Sequence, residues 1–367
     1  MYLKPQVGTG AHPYSLVFAA VDSSDSDKVG ADFVCTGTND FAAMGALLAA
    51  RAGTLTNSLL LPGNYHQQSY TNRFGTQGND DTMTGYGAIL HDHYGVRGNF
   101  YGTNATARGL TWQVESSVGA FSSGGFRMHD KYQFAIDLKI TGSPNIANAN
   151  WGVDGSDYLT VSGCYCYGVV NAYGAGGYSK IVGNSAEACC VGIQPFGDYA
   201  IITGNVLVGG SIYDPRPFNG DGIYVGFQSR GTVISNNRIK SHDNGITAYG
   251  DSDPDLGARK LIIAGNRISD LTSAGIYVEG RSTLVKGNRV SDSGQGGFLH
   301  SQIGVFGVAN SLIDNFVIDN GLSQCDYGVE VGGTANYLSG NQLEGSYNIA
   351  AVHDTGTGTV YGVPSVI

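Results

Sequence analysis

The chain repeats itself loosely, about once every two dozen residues, and this limits what it can fold into more than any other feature. From Ile262 to Leu299 it reads IIAGNRISDLTSAGIYVEGRSTLVKGNRVSDSGQGGFL, which states one pattern twice. An apolar pair leads into Gly-Asn, then Arg, an apolar residue and Ser-Asp, then turn residues, a Gly and a further apolar strand. The same step, or a close variant, occurs at Gly183-Asn184, Gly204-Asn205, Asn236-Asn237, Gly265-Asn266, Gly287-Asn288, Asp314-Asn315 and Gly340-Asn341. Successive asparagines lie 21, 32, 29, 22, 27 and 26 residues apart, so a unit near 21 persists and takes extra residues at a few places. A second mark follows at Gly192-Ile193, Gly222-Ile223, Gly245-Ile246, Gly275-Ile276, Gly297-Phe298 and Gly328-Val329.

The segments around these marks, such as Ala200–Thr203, Thr232–Ser235, Lys260–Ile263 and Thr283–Lys286, are short, rich in Val, Ile and Tyr, and bounded by turn residues. That is a strand signal, and no helical period survives between the strands. Short strands repeated without helices predict an all-β solenoid, a parallel β-helix, in which each coil lies on the last at roughly 4.8 Å. One coil cannot bury its own apolar side, so stacking supplies the core. The asparagines are expected at sharp corners, tolerating left-handed backbone angles and bonding to one another from coil to coil.

Glycine, at 57 of 367 residues, is about twice the usual ~7% and has no collagen period, which implies many turns. Charged residues are only 14% of the chain, while there are 22 tyrosines, so the surface is polar through hydroxyls and amides, as suits a protein that handles sugars. A net charge of −10 argues against a nucleic-acid partner, because phosphate binding needs a basic face. No apolar run is long enough to span a membrane. The start, MYLKPQVGTG, has no signal-peptide core, which leaves the cytoplasm or a route such as a phage particle as the expected location. Cys35, Cys164, Cys166, Cys189, Cys190 and Cys325 match no zinc pattern; buried thiols are expected, with a disulfide as the alternative.

The N-terminal part differs. Phe41, Met44, Leu47 and Leu48 share one face of a helix over Phe41–Ala52, with Thr38 or Asn39 able to start it and Gly53 to end it. Such a helix can cap the open end of a solenoid. The run ADFVCTGTND, followed by GALLAARAG and LLLPGNY and then by the Gly-Asn coils, resembles the pectate-lyase-like β-helix superfamily, which includes phage tailspikes and bacterial glycan-active enzymes. The resemblance implies a right-handed helix and a poly- or oligosaccharide ligand. The expected organisation is an arm, capping helix and first strand over 1–65, the β-helix over 66–359 with irregular loops at 66–125, and a tail at 360–367.

On a β-helix, chemistry is expected where insertions wall a face. The longest are Val206–Asp221, Gly250–Lys260 and about Leu299–Asn310. Aligned at the second mark, the strands place Gln194, Tyr224, Thr247, Tyr277, Leu299 and Glu330 outward two residues on. Four residues on come Phe196, Gly226, Tyr249, Glu279 and Ser301, and six on come Asp198, Gln228, Asp251 and Arg281. Apolar Ile193, Ile223, Val225, Ile246, Ile276, Val278, Val329 and Val331 alternate with them, as period two requires. Tyr224, Tyr249 and Tyr277 are therefore candidate sugar platforms, with Arg281 and Arg216 as further binding residues. Asp251, Glu279, Asp198 and Asp221 are candidate acids and bases. Asp251 and Glu279, one coil apart, come out at roughly 8 Å, inside the spacing for inverting hydrolysis. Simple solvation of these charges, with Arg281 neutralising Glu279, is the competing reading.

Asp314-Asn315 with Gly328-Val329-Glu330 resembles the arrangement in β-helix fructotransferases, and so makes Asp314 and Glu330 a second candidate pair. Arg238-Ile239-Lys240 is a tripeptide found in polygalacturonases, but the Gly-His-Gly and Asn-Thr-Asp motifs that go with it there are missing, so it reads as part of the repeat. His91-Asp92-His93 puts two imidazoles on one side of a strand, a possible metal or acid–base site that Arg127-Met128-His129-Asp130 could join, but without a third ligand it reads as a surface loop. No metal and no cofactor are expected. Two functions from different classes fit. One is a glycan-cleaving enzyme (hydrolase, lyase, or intramolecular glycosyl- or fructosyl-transferase) acting on a neutral sugar, since basic residues near the groove are few. The other is a non-catalytic carbohydrate-binding or structural β-helix such as a phage tail receptor-binding protein. Flat, weakly charged sides favour a homo-oligomer, a trimer first.

Overall fold

The computed structural model describes residues 14–51, 54–67, 74–76, 78–93, 98–114, 125–142, 151–209, 220–226, 229–250, 257–294, 301–320 and 325–362. The fold is a right-handed parallel β-helix with two short helices near its start. The chain divides into two compact units, Met1–Ala172 and Tyr173–Ile367, each built from the same coil. A full coil adds one strand to each of three parallel sheets, called here I, II and III, and among the described residues sheet III begins only at Gly98–Phe100.

In the second unit, sheet I carries Lys180–Val182, Ile201–Thr203, Val233–Ser235, Ile262–Ala264, Leu284–Lys286, Ser311–Ile313, Tyr337–Ser339 and Val360–Tyr361. Sheet II runs from Ser185–Glu187 to Gln342–Gly345, and sheet III from Val191–Pro195 to Ala350–Asp354. The register is exact from coil to coil: Ile202 faces Ile234, which faces Ile263, then Val285, Leu312 and Leu338. These residues form one buried file of branched side chains in the core. Arg238, Arg267 and Arg289 form another file in sheet II, so Arg238-Ile239-Lys240 is indeed repeat sequence.

The asparagines stack as expected. Asn184, Asn205, Asn237, Asn266, Asn288, Asn315 and Asn341 are all buried, and each of the first six donates its backbone N–H and its amide to the Oδ1 of the next at 2.9–3.1 Å. The division of labour at the corner differs from the expectation. The left-handed angle is taken by the residue before each ladder asparagine: Gly183, Gly204, Asn236 (φ 55°), Gly265, Gly287, Asp314 (φ 53°) and Gly340. Asn and Asp replace Gly there because short polar side chains tolerate that region best among non-glycine residues. The ladder asparagine itself has no positive φ and is buried, and its amide satisfies buried backbone groups.

In the first unit, coils begin earlier and more regularly than the sequence indicates. Leu16–Ala19, Asn57–Leu60, Thr82–Thr84 and Thr106–Arg108 are successive strands of sheet I. Gly63–Gln67, Ala88–Asp92 and Thr111–Val114 are successive strands of sheet II. The segment 66–125 therefore contributes ordinary coils among its described residues. The cap helix runs Asp40–Ala49 rather than Phe41–Ala52, and buries Phe41, Met44 and Leu48. It packs on Gly63–Gln67, the terminal strand of sheet II, and Phe41 stacks on Phe74 at 4.9 Å. Asn39 holds the N-cap position without a side-chain bond to the helix N–H groups; Asp40 accepts from the N–H groups of Thr36, Gly37 and His66 at 2.9–3.1 Å. All six cysteines are free thiols. Among the described residues no helix is long and apolar enough to cross a membrane.

Candidate functional site

The outer face of sheet III in the second unit collects the chemistry. Its geometry begins with a glycine at the second position of several strands: Gly192, Gly222, Gly245 and Gly328. A Cβ on Gly222 would stand 2.3 Å from Ile239 Cγ2, and one on Gly245 would stand 2.3 Å from the Gly275 carbonyl oxygen. Gly222 faces the core, as does Ile223 after it, so the alternation slips by one residue at this point. The slip brings Asp221 round to the same face as Thr247: its Oδ1 accepts from Thr247 Oγ1 at 3.0 Å and from Asn244 Nδ2 at 2.8 Å.

Two further files run beside it. The first is Tyr224, Thr247, Tyr277, Gly304, Glu330 and His353, in direct register. The second, two residues on, holds Tyr249, Glu279 and Phe306, each bonded by its backbone N–H to the coil before. The rings of Tyr224, Tyr249, Tyr277 and Phe306 make a zigzag ladder across the two files, with centroids 5.6, 6.0 and 5.4 Å apart. The tyrosine hydroxyls are harder to ionise than usual, mainly through burial. Asp221 and Glu279 both add to this at Tyr249, and Glu279 and Glu330 at Tyr277.

Each carboxylate has a different setting. Asp221 is 5% exposed, and burial pushes its pKa up to about 6 against the two hydrogen bonds that favour the charged form. Glu279 accepts a short hydrogen bond from the Tyr277 hydroxyl. Glu330 lies 3.6 Å from His353 Nδ1, and the His353 ring stacks on Tyr327 at 4.3 Å. A carboxyl that keeps its proton more tightly than usual, with further carboxyl groups on the same aromatic face, can donate and accept protons at a sugar whose ring is held against tyrosines.

The structure brings together Asp221, Tyr224, Tyr249, Tyr277, Glu279 and Glu330 from the residues picked out by sequence. It sets three apart. Asp198 lies at the turn from sheet III to sheet I, paired with Arg230 at 3.4 Å and accepting the Arg230 N–H at 2.8 Å. Arg281 is in register with Arg259 and, through it, Arg230 on that turn, instead of neutralising Glu279. Asp314 occupies the left-handed corner between sheets I and II, so it and Glu330 sit at different places round the coil. Asp251 and Arg216 lie outside the described residues.

Sequence reading missed Phe306, Tyr327, His353 and Asn244; Thr247 shares the outward file with Tyr224 and Tyr277 as expected, and is fully covered there. Phe306 was hidden by the mark at Gly297-Phe298. Ile276 pairs with Ile303, so Gln302, not Gly297, stands where the other coils have Gly, and Ser301–Val305 is a strand rather than part of an insertion. Val206–Val208 is likewise a strand of sheet II. The extra residues are 210–219 and 295–300, which lead into sheet III strands, and 251–256, which follow one; all three lie outside the described residues.

Comparison with known proteins adds the following. The family described as "Periplasmic copper-binding protein (NosD)" matches residues 217–321, less than a third of the chain. No curated protein matches the sequence. Among solved structures, DFA-IIIase from Arthrobacter chlorophenolicus A6 in complex with GF2 is 12% identical, with 94% of this chain and 93% of that one aligned at a TM-score of 0.52. The same enzyme in complex with DFA-III is 15% identical over 89% and 83%, at a TM-score of 0.52. The Dettilon tailspike protein (gp208) is 15% identical over 88% of this chain and 66% of that one, at a TM-score of 0.59. At these identities the likeness establishes the fold, a right-handed parallel β-helix, and nothing finer.

Proposed function

We propose that the outer face of sheet III in the second unit binds and cleaves a neutral poly- or oligosaccharide. One observation carries this reading: a buried carboxyl with a pKa near 6, Asp221, shares a face with a four-ring aromatic ladder and with Glu279 and Glu330. Sugar rings pack on Tyr224, Tyr249 and Tyr277. Asp221, still partly protonated near neutral pH, gives its proton to the leaving glycosidic oxygen. Glu279, aligned by the Tyr277 hydroxyl, acts as the base that activates water or a neighbouring sugar hydroxyl, or as the nucleophile. The two files hold carboxyl groups and tyrosine hydroxyls and no Lys or Arg among their described residues, which suits a neutral sugar better than an acidic one. The glycan-handling proteins that share the fold, DFA-IIIase bound to GF2 and to DFA-III and a phage tailspike, agree with a carbohydrate ligand by analogy.

The second reading, a face that holds a glycan without cutting it, is favoured by the closed Tyr277–Glu279 bond, which already occupies one carboxylate oxygen. Incubation with a panel of neutral polysaccharides, read by product mass, separates the two. Cleavage gives new oligosaccharides; a product lighter by one water marks a lyase or an anhydride-forming transferase, and intact mass a hydrolase. Asp221→Asn and Glu279→Gln abolish turnover and leave binding nearly unchanged on the first reading. If no panel member is cut but one is bound, the binding reading stands. If none is cut or bound, the carbohydrate assignment fails.

A further inference from the structure

The outer face of sheet I in the second unit is used neither by the core nor by the carbohydrate face. Eight strands stack there in register, from Lys180–Val182 to Val360–Tyr361, and each turns its first residue outward. Lys180 begins this outward file. Ile201, Val233, Ile262 and Leu284 continue it over four coils without a break, and after Ser311 come Tyr337 and Val360. Ile201, Ile262, Tyr337 and Val360 are exposed, and Val233 and Leu284 are half-buried. The third residue of each strand forms a second outward file, in which Thr203, Ser235 and Ala264 precede Lys286 and Ile313.

On a chain of net charge −10, the two files hold two lysines and no carboxylate. Sheet II differs: its outward file carries Arg238, Arg267 and Arg289, and Lys240 beside them pairs with Asp270 at 3.2 Å. The corner from sheet I to sheet II leaves the apolar face open. A Cβ on Gly183 or Gly287 would meet no atom within 4 Å, so no side chain stands over the edge there. A contiguous stripe of branched side chains in water marks a contact surface. Its chemistry selects the occupant. Sugars pack on aromatic faces, which this stripe has only at its end, and an acidic chain is repelled by anionic lipid. A second flat β face fits, since two sheets pack at about 10 Å with their side chains interdigitated. Eight strands span about 34 Å, and with its corners the face is about 15 Å wide. Pairing would cover about 1,000 Å² in total, the lower bound of a specific interface, which makes the association reversible.

Charge also selects the orientation. A two-fold axis along the solenoid would set each coil against its own counterpart, and so Lys180 and Lys286 against their own copies. An axis along the strands reverses the order of coils. Ile262 then packs on the partner's Leu284, Ile201 on the partner's Tyr337, and Lys286 falls beside the partner's Ala264, where its ammonium reaches water. We propose that the sheet I face of the second unit is the contact surface between two copies of this chain, related by a two-fold axis along the strands. One self-complementary face closes at two copies, in place of the trimer expected from sequence. Sheet III of each copy stays uncovered, so on the reading above a pair holds one polymer at two places; the association itself does not depend on that reading.

The test is sedimentation of the full chain without glycan, from about 1 to 100 μM, where a reversible equilibrium between one and two copies is expected. Ile262→Lys and Leu284→Glu each put a charge at the centre of the face and weaken association about tenfold or more. Both side chains point outward, so circular dichroism stays that of the wild type. Mixed one to one, the two variants recover association, because one central contact then joins opposite charges and the other is native. Arg267→Glu, on sheet II, leaves association unchanged. Should either variant misfold, hydroxyl-radical footprinting of the wild type at the two concentrations decides: Tyr337 is protected in the pair, and Phe196, exposed just beyond a strand of sheet III, is not. A wild type that remains single at 100 μM, a mass of three copies, association that survives in both folded variants or is not recovered on mixing, or protection of Phe196 instead of Tyr337 overturns the proposal.

Discussion

Asp221→Asn links the stability of the fold to the chemistry of the face. In the folded chain the Asp221 carboxyl titrates near 6, against 3.8 for the unaffected group, because burial disfavours its charge. The folded state therefore holds the proton more tightly than the unfolded chain does. The stabilisation this brings is complete below pH 3.8, declines as pH rises, and is gone once pH has passed through about 6. A gap of about two pKa units corresponds to about 3 kcal/mol between acid and neutral conditions. Asparagine has nearly the same shape, keeps an acceptor oxygen for Asn244 Nδ2 and Thr247 Oγ1, and carries no charge to bury. The variant is thus expected to match the wild type near pH 4 and to exceed it by about 3 kcal/mol at pH 8. Urea denaturation followed by circular dichroism at the two pH values measures this, with the slopes compared to confirm that the transition is unchanged in kind. A difference that stays constant from pH 4 to pH 8, or a variant weaker than the wild type at pH 8, refutes the reasoning. The same substitution abolishes turnover if Asp221 is the proton donor, which makes it a stabilising change at the expense of activity.

Three other perturbations follow from the geometry. Asn266→Ala removes the acceptor for the Asn237 N–H and amide and the donor to the Ile234 carbonyl, all buried, and is expected to cost about 3–5 kcal/mol in denaturant titration; a loss below about 1 kcal/mol would show that the ladder adds little. Gly222→Ala drives a methyl group into Ile239 Cγ2 and should cost about 1–3 kcal/mol, whereas Gly183→Ala, with no atom within 4 Å but a left-handed φ of 65°, should cost about 1–2 kcal/mol through backbone strain alone. If the two respond alike to a compensating Ile239→Ala, which removes Cγ2, steric crowding at Gly222 is not the cause. Tyr249→Ala, in the middle of the ladder, should weaken glycan binding measured by calorimetry by about 1 kcal/mol or more while the melting temperature changes little, and unchanged affinity would remove the ladder from the binding site.

Much of this protein is determined locally, and so is readable without coordinates. A solenoid places each residue over its counterpart one coil away, so a period in the sequence becomes a column in space. The file of asparagines from Asn184 to Asn341, the inward Ile223, Ile246 and Ile276, and the tyrosines at 224 and 277 all follow from spacing and period two. Reading failed where the count was interrupted. Extra residues before Ser301 displaced the register, so Gln302 took the place of glycine and Phe306 went unseen. The slip at Gly222, where two successive residues face the core, turned Asp221 onto the face with Thr247, which a strict period of two does not record.

What remained for the tertiary structure was proximity and environment. Asp314 and Glu330 look like partners along the chain, but the coil carries them to different sides; His66 and His91 are 25 residues apart and touch. Whether Asp221 holds its proton depends on its being buried, and whether Arg281 meets Glu279 or Arg259 depends on where the strand ends and the turn begins. Sequence sets which residues share a file because that needs only a period. Desolvation and contact depend on distances across the fold, and these exist only once the coils are stacked.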